Sequence, residues 1–567
     1  MGVDEKARIG VFICHCGTNI GGVVDVPKVV EYAKTLPNVV YAEANLYTCS
    51  SEGISKIKEG IAKYNLNRVI VASCTPRTHG PLFRTACEEA GVNKYLFEMA
   101  NIRDQCSWAH MHEPEKATEK AKDLVRMAVA KARLLKPLEE PEIDVTPSAL
   151  VIGGGISGMT AALCLAHQGF KVHIIEKGPE LGGMLKHLYR LYPTMEDASE
   201  KLNPIANAVK SNKGIDVLTS SVVKQVKGFI GNFEVTVQRG NGENTNLNVG
   251  TIIVATGAVD FEPVGMYGYG RYDSVITQLQ LEQLLKKGEL KRPERVVMIQ
   301  CVGAREEKGR TYCSRICCMN AIKNALLIKE LYPEADVYIL FRDLQTYGRE
   351  YEGYYLDARR GFIEFIKYTP ERPPEIVSEL GGKLTVRVYD SLLGSDIEIE
   401  SDLIVLSTPL VPHEEAKELS QVLKVPLGPN GFFFEAHVKL RPIDFATDGI
   451  YVCGTAHSPK DTAESVSQAF GVASRAAIPL ALKHLRTEAI TAVVDENLCS
   501  GCGTCVKLCP YGAIEKDDMG IARVTEVVCK GCGVCAASCP ERAIAMHHFT
   551  DEQVTAQALA ALGRTFV

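Results

Sequence analysis

Through the first 140 residues, short apolar runs alternate with stretches whose apolar positions recur at helical spacing. The runs fall at 9–13, 39–41, 68–71 and 95–97, and helical periodicity appears at 26–35, 54–63 and 82–90. Strand and helix alternating in this way predict a small parallel α/β domain. Residues 113–140 keep the helical period but are strongly charged, and Pro137, Pro141 and Pro147 follow as a linker. A second alternation opens with a buried strand at 149–152, an apolar helix and a strand at 171–175; a later strand ends in Thr256-Gly257, another falls at 295–299, and a last one lies within 447–454 ahead of a helix. Beyond residue 490 the periodicity gives way to cysteine and glycine punctuation, then to a helical tail at 551–563. The predicted domains are 1–146, 147–268 with 441–490, 269–440, 491–548 and a tail at 549–567.

Composition narrows the class. The 567 residues are 46% hydrophobic and 23% charged, with a net charge of −6. That is ordinary for a globular chain of two to four domains and gives no reason to expect nucleic acid. No apolar stretch approaches the ~20 residues of a membrane helix, and the first residues lack a charged-then-apolar leader, so a cytoplasmic protein is expected. In that compartment 20 cysteines read as metal or redox ligands rather than disulfides.

Eight of them form two runs thirty residues apart, Cys499-x2-Cys502-x2-Cys505-x3-Cys509-Pro and Cys529-x2-Cys532-x2-Cys535-x3-Cys539-Pro. In two-cluster ferredoxin spacing the fourth thiolate of each run ligates the other cluster. This assigns Cys499, Cys502, Cys505 and Cys539 to one [4Fe–4S] cluster, and Cys529, Cys532, Cys535 and Cys509 to a second. Two structural zinc ribbons are the alternative, for which short C-x2-C pairs would suffice. Near the N-terminus, Cys14, Cys16, Cys49, Cys74 and Cys106 follow the predicted parallel strands, whose carboxyl ends converge on one sheet edge. A further cluster on Cys16, Cys49, Cys74 and Cys106 is expected, with Cys14 as a substitute; inert packing is the alternative. Cys87, Cys164 and Cys453 read as packing.

The strand at 149–152 runs into Gly153-Gly-Gly155-Ile-Ser-Gly158 and an apolar helix, and the next strand ends in Glu176. Glycines there let a pyrophosphate approach a helix N-terminus, and the acid accepts from a ribose hydroxyl. Gly182-Gly183, Thr256-Gly257 and Gly454-Thr455 favour FAD over NAD and resemble the thioredoxin-reductase-like flavoproteins. Those place a Gly-Asp pair under the ribityl chain; Thr455 stands where the acid would be. Gly153, Gly155, Gly158, Glu176, Lys177, Gly183, Thr256, Gly257, Gly454 and Thr455 are the predicted FAD contacts. In such proteins a second nucleotide loop would follow the strand at 295–299. Instead come Cys301, Cys313, Cys317 and Cys318, spaced C-x11-C-x3-C-C. These suggest another [4Fe–4S] cluster, or else a Cys317–Cys318 redox dithiol.

The long stretches VFICHCGTNIGGVVDV, FEMANIRDQC, MHEPEKATEKAKDLVRMAVAKARLL and CVGAREEKGRTYCSRICCMNAIKNA resemble the A subunit of soluble heterodisulfide reductases over nearly the whole length. The resemblance implies an α/β multidomain oxidoreductase: a small N-terminal α/β domain, a thioredoxin-reductase-like two-dinucleotide-domain flavoprotein and a C-terminal α+β ferredoxin domain. It implies one FAD and about four [4Fe–4S] clusters, with Lys323, five residues after the cysteine pair, facing the flavin as the catalytic residue. It also implies flavin-based electron bifurcation in an anaerobic host. The implied partners are B and C subunits, ferredoxin, and an electron-input hydrogenase, formate dehydrogenase or NADH-oxidising module, in a homodimer of complexes. A two-cluster ferredoxin insert of the methanogen members is missing: LYPTMEDASEKLNPIANAV crosses that place without a cysteine. A non-bifurcating relay and a disulfide oxidoreductase using Cys317 and Cys318 are the competing functions.

Overall fold

A computed structural model describes residues 6–380 and 383–563. The protein divides into two compact units, one of residues 1–142 with 486–567 and one of 143–485.

In the first unit, strands β1 (Ile9–Cys14), β2 (Val39–Asn45), β3 (Arg68–Ser73) and β4 (Phe97–Asn101) form a parallel sheet in the order β2-β1-β3-β4. Helices α1 (Val26–Lys34), α2 (Ser51–Tyr64), α3 (Pro76–Glu89) and α4 (Pro114–Ala132) connect and cover them. Every residue of β1 and β3 is buried, as expected for central strands of a parallel sheet covered on both faces. Helix starts follow local chemistry: the Ser50 side chain accepts from Gly53 N at the start of α2, satisfying an otherwise orphan donor.

The second unit holds two parallel sheets. In the first, β5 (Ser148–Ile152), α5 (Ile156–His167), β6 (Lys171–Ile175), α6 (Ala198–Ser211), β7 (Ile215–Leu218) and β8 (Thr251–Val254) build most of a dinucleotide-binding layer. The second contains β9 (Val275–Thr277), β10 (Arg295–Ile299), β11 (Asp336–Phe341), β12 (Ile363–Lys367) and β13 (Leu403–Leu406), with α7 (Cys317–Leu331) following β10. The path then returns to the first sheet through β14 (Ile450–Val452) and α8 (Thr462–Ala481). The orders are β7-β6-β5-β8-β14 and β9-β13-β10-β11-β12. Loops at the carboxyl ends of β5, β6 and β8 meet where the strand order reverses, the usual ligand crevice of such sheets.

The polypeptide re-enters the first unit as a ferredoxin-like module. β15 (Ala492–Val494) pairs with β18 (Ile544–Met546), and β16 (Ile514–Lys516) with β17 (Ala522–Val524); short helices α9 (Thr504–Leu508) and α10 (Val534–Ala537) carry the cysteines between them. The module is too small for an ordinary core, and six of its cysteines take part in its apolar cluster. The segments expected as an N-terminal domain at 1–146, a ferredoxin domain at 491–548 and a tail at 549–567 fall largely within one compact unit, residues 1–142 with 486–567. Tyr95 accepts from Ala489 N and donates to Glu140, Arg84 pairs with Glu488, and the last helix, α11 (Asp551–Ala561), lies against α4. No helix among the described residues is long and apolar enough to cross a membrane.

Candidate functional site

A cavity of about 770 Å³ opens at the carboxyl end of β5, β6 and β8. The β5 strand leads into Gly153 at φ 112, where a Cβ would stand 2.3 Å from Ala255 O; at Gly158 it would stand 1.9 Å from Gly153 O. Only glycine fits both places, and the turn brings the N-terminus of α5 to the wall. Both carboxylate oxygens of Glu176 accept backbone N–H groups, from Gly154 at 2.6 Å and Gly178 at 2.7 Å, which aims the acid from the end of β6. Gly153, Gly155, Glu176, Lys177, Gly183, Thr256, Gly257 and Thr455 line the cavity. Gly158 and Gly454 stand outside the lining and shape it. Lys177 pairs with Glu415. The Thr408 hydroxyl, also in the lining, is buried without a hydrogen-bond partner, a polar group that a bound molecule could satisfy. Glycine cradle, acid and orphan hydroxyl fit a dinucleotide with a polar ring system.

Packed against Ser157 of the cradle, Gly454 at φ 69 is clamped at both ends of its peptide units. Its N–H donates to Gln468 Oε1 at 2.9 Å, Gln468 donates to His457, and His457 donates to Glu435. Its carbonyl accepts from Lys460 Nζ at 2.9 Å. Lys460 is buried and also lines the cavity. Sequence reasoning passed over it because a lysine just before a helix cap looks like an ordinary solvated residue.

Beyond β10, Cys301 adopts φ 62 and Cys317 opens α7. The four thiols form one electrostatic group: Cys301 is felt by Cys317 and Cys318, and Cys313 by Cys301 and Cys318. Burial pushes the Cys317 thiol well up and that of Cys318 up to about 12, so such thiols need a metal or cation to ionise. Arg305 and Arg342 supply positive charge beside Cys301. Cys317 lies in the cavity wall, its Sγ 3.3 Å from Thr408 O, while Cys318 Sγ approaches Asp343 O at 3.8 Å. All cysteines are free thiols.

Lys323, expected at the flavin, is fully buried and lies outside the cavity lining. Its ammonium pairs with buried Glu282 and donates to Arg190 O at 2.9 Å, and Glu282 accepts from Tyr189 N at 2.8 Å. Arg190 and Asn320 are the nearby residues that reach the wall. Burial lowers the Lys323 pKa to about 7, and the adjoining carboxylate is what favours its protonated form.

In the N-terminal sheet, Cys49 feels Cys14 and Cys16, and Cys74 feels Cys16 and Cys49, with Arg103 acting on both. Cys14 Sγ accepts from Cys16 N at 3.2 Å and Thr48 N at 3.3 Å. Cys106 stands apart. It is fully buried, its Sγ donates to Ala117 O at 2.9 Å, and burial raises its thiol to about 11 with no other cysteine acting on it. The thiols that the fold gathers at this edge are therefore Cys14, Cys16, Cys49 and Cys74.

In the tail, Cys509, Cys529, Cys532 and Cys535 line one small cavity. Cys505 feels Cys499 and Cys502. Cys509 and Cys539 accept from Ala513 N and Ala543 N, each at 3.3 Å. Among the described residues no three His, Cys, Asp or Glu side chains converge on a point the size of one metal ion.

Residues 147–299 match the family described as pyridine nucleotide-disulphide oxidoreductase, and residues 492–546 match the 4Fe-4S dicluster domain. Fold and site together define an oxidoreductase that joins an FAD-type dinucleotide domain to a two-cluster ferredoxin domain. The sequence is 42% identical to the A subunit of the H(2):CoB-CoM heterodisulfide,ferredoxin reductase of Methanothermobacter marburgensis, covering 98% of each. It is 41% identical to the iron-sulfur A subunit of the CoB--CoM heterodisulfide reductase of Methanocaldococcus jannaschii, covering 96% of this protein and 97% of that one. A solved thioredoxin reductase from T. acidophilum is 19% identical over 59% of this protein and 98% of its own length, with a TM-score of 0.40. The chain is a member of the family of heterodisulfide reductase A subunits, and it belongs there over nearly its full length. The match to the M. marburgensis protein spans 647 positions, more than the 567 residues available here, so that relative carries residues this one lacks. Between β6 and α6 only residues 176–197 are used here.

Proposed function

We propose that this protein is the FAD and iron–sulfur component of a heterodisulfide-reductase-like complex, receiving electron pairs and passing on single electrons, with bifurcation between two acceptors. The observation that carries the reading is the thiol group after β10: four cysteines occupy the place of a pyridine-nucleotide loop, and Cys317 is in the wall of the flavin cavity. The flavin, when bound, supplies the exchange between paired and single electrons. Gly153, Gly155, Gly158, Glu176 and Gly183 hold its dinucleotide part, with Lys177, Thr256, Gly257, Gly454 and Thr455 along the rest. Cys301, Cys313, Cys317 and Cys318 would hold the adjacent [4Fe–4S] cluster in a buried setting. The two tail clusters take Cys499, Cys502, Cys505 with Cys539, and Cys529, Cys532, Cys535 with Cys509. A fourth takes Cys14, Cys16, Cys49 and Cys74.

The relatives are named for heterodisulfide, ferredoxin, H(2) and formate. By extension we assign to this protein partner subunits of the B and C types, ferredoxin, and an input module of hydrogenase, formate dehydrogenase or NADH-oxidising type. We assign it also a homodimeric complex and a cytoplasmic, anaerobic setting. The dithiol reading is weaker, because Cys317 and Cys318 contact different carbonyls on separate strand ends.

Anaerobic addition of NADH or NADPH to the isolated holoprotein tests this. No direct bleaching of the flavin is expected, whereas photoreduction of the flavin should bring up cluster EPR signals. In C317A the signal of one cluster should vanish. Direct bleaching by NADPH, or unchanged cluster signals in C317A, would overturn the assignment.

A further inference from the structure

Lys460 is 8% exposed, and it lines the flavin cavity beside Thr455, Asp461, Thr462 and Ser465. Its ammonium spends all three hydrogens on fixed oxygens: Gly454 O at 2.9 Å, Ser458 O at 2.9 Å and Ser458 Oγ at 3.0 Å. None of these is a carboxylate. The acids that act on it are engaged elsewhere, Glu464 with Arg315 at 2.6 Å and Glu435 with His457 at 2.9 Å. Its neighbour Asp461 caps α8 by accepting from Glu464 N and takes the Tyr351 hydroxyl. A buried cation without its own counter-ion is costly unless a negative charge arrives beside it.

Two further features point the same way. Helix α8 runs for 20 residues and begins at Thr462 in the cavity wall, so the positive end of its dipole faces the same space. Thr455 also removes the acid expected after Gly454, so the cavity lacks a carboxylate where the related pattern has one.

We infer that Lys460 is the cation that stabilises the negative charge which reduction puts on the flavin ring, and so sets the flavin's potential. The inference rests on FAD occupying this cavity. The site then favours the reduced cofactor over the oxidised one by fixed charge alone, with no side chain having to move, since three hydrogen bonds already hold the ammonium. Burial draws Lys460 down to about 8 from its ordinary 10.5, the direction expected of an ammonium that lacks a close anion.

Anaerobic spectroelectrochemical titration of the full-length holoprotein tests the inference in wild type, K460R, K460Q and T455D. K460Q should lose at least tenfold in its preference for reduced over oxidised flavin, a fall of ~30 mV in the two-electron midpoint. K460R, which keeps the charge, should stay within threefold of wild type. K460Q with full FAD content and an unchanged potential would overturn the inference. Should K460Q retain no FAD, T455D decides: a carboxylate added to the same cavity must lower the potential, and an unchanged value overturns the proposal. A wild-type protein that binds no FAD would instead bring down the cofactor reading itself, an outcome distinct from a bound flavin indifferent to Lys460.

Discussion

Twenty cysteines occur in this protein, and their surroundings sort them. Cys87 and Cys453 are buried, and burial raises each to about 12 with no other thiol acting on it; Cys106 is raised to about 11 in the same way. Cys49 and Cys74, Cys301, Cys317 and Cys318, and Cys505 and Cys535 instead each feel other thiols of their own group. That difference predicts iron content. C509A should lose about four irons per molecule, C14A should lose the same, and C106A should lose none. Colorimetric iron measured against bound flavin checks this; full iron in C14A together with depletion in C106A would reverse the ligand assignment. The buried Lys323–Glu282 pair makes a second prediction at this scale. E282A strands an ammonium in the interior and should cost about 3–5 kcal/mol, read from denaturant-induced release of flavin. A change below ~1 kcal/mol would mean that the pair is not structurally coupled to the cavity.

At the scale of elements, the glycine loop between β5 and α5 does the most positioning. G158A would force a methyl against Gly153 O, so the variant should purify without FAD while keeping its tail iron; retention of FAD would contradict the close approach. In the first unit, α11 is tied to α4 by Arg126 donating to Ala560 O at 2.7 Å, and to the segment just after α4 by Gln553 donating to Leu134 O at 2.9 Å. Q553A should lower the stability of that unit by about 1 kcal/mol, measured by chemical denaturation followed at the tail clusters. The strand–glycine–helix unit and the doubled cysteine runs were legible in the sequence because their geometry is local: a few residues at fixed spacing define each. That Cys14 rather than Cys106 gathers with Cys16, Cys49 and Cys74 was not. It depends on Cys14 ending β1 within reach of the β2 loop, and on a wide π-helical turn at Arg103–Ser107 that points Cys106 at Ala117 O in α4. Lys460 was illegible for a related reason, since its burial exists only once α8 and the Gly454 turn have met. The union of the two chain ends in one unit was likewise hidden, because contacts such as Tyr95 with Ala489 leave no periodic trace.

At the scale of the whole molecule, the protein pairs a flavin-type unit, residues 143–485, with a unit built around cysteine sites, residues 1–142 and 486–567. Its family relatives are oxidoreductase subunits, and the second nucleotide-type sheet here carries thiols where a pyridine-nucleotide loop would stand. Such a protein has the parts to convert paired electrons into single ones, provided that the first electron leaves the flavin at a potential far from the second; each tenfold bias in a one-electron step is about 59 mV. The decisive measurement is an anaerobic potentiometric titration of the cluster-replete holoprotein, following flavin absorbance and the flavin radical by EPR together. Bifurcation requires the flavin to bleach in a single two-electron wave with almost no radical at any potential. Two separated one-electron waves, with a radical persisting across a wide window between them, would contradict it and leave the molecule a step-down electron relay.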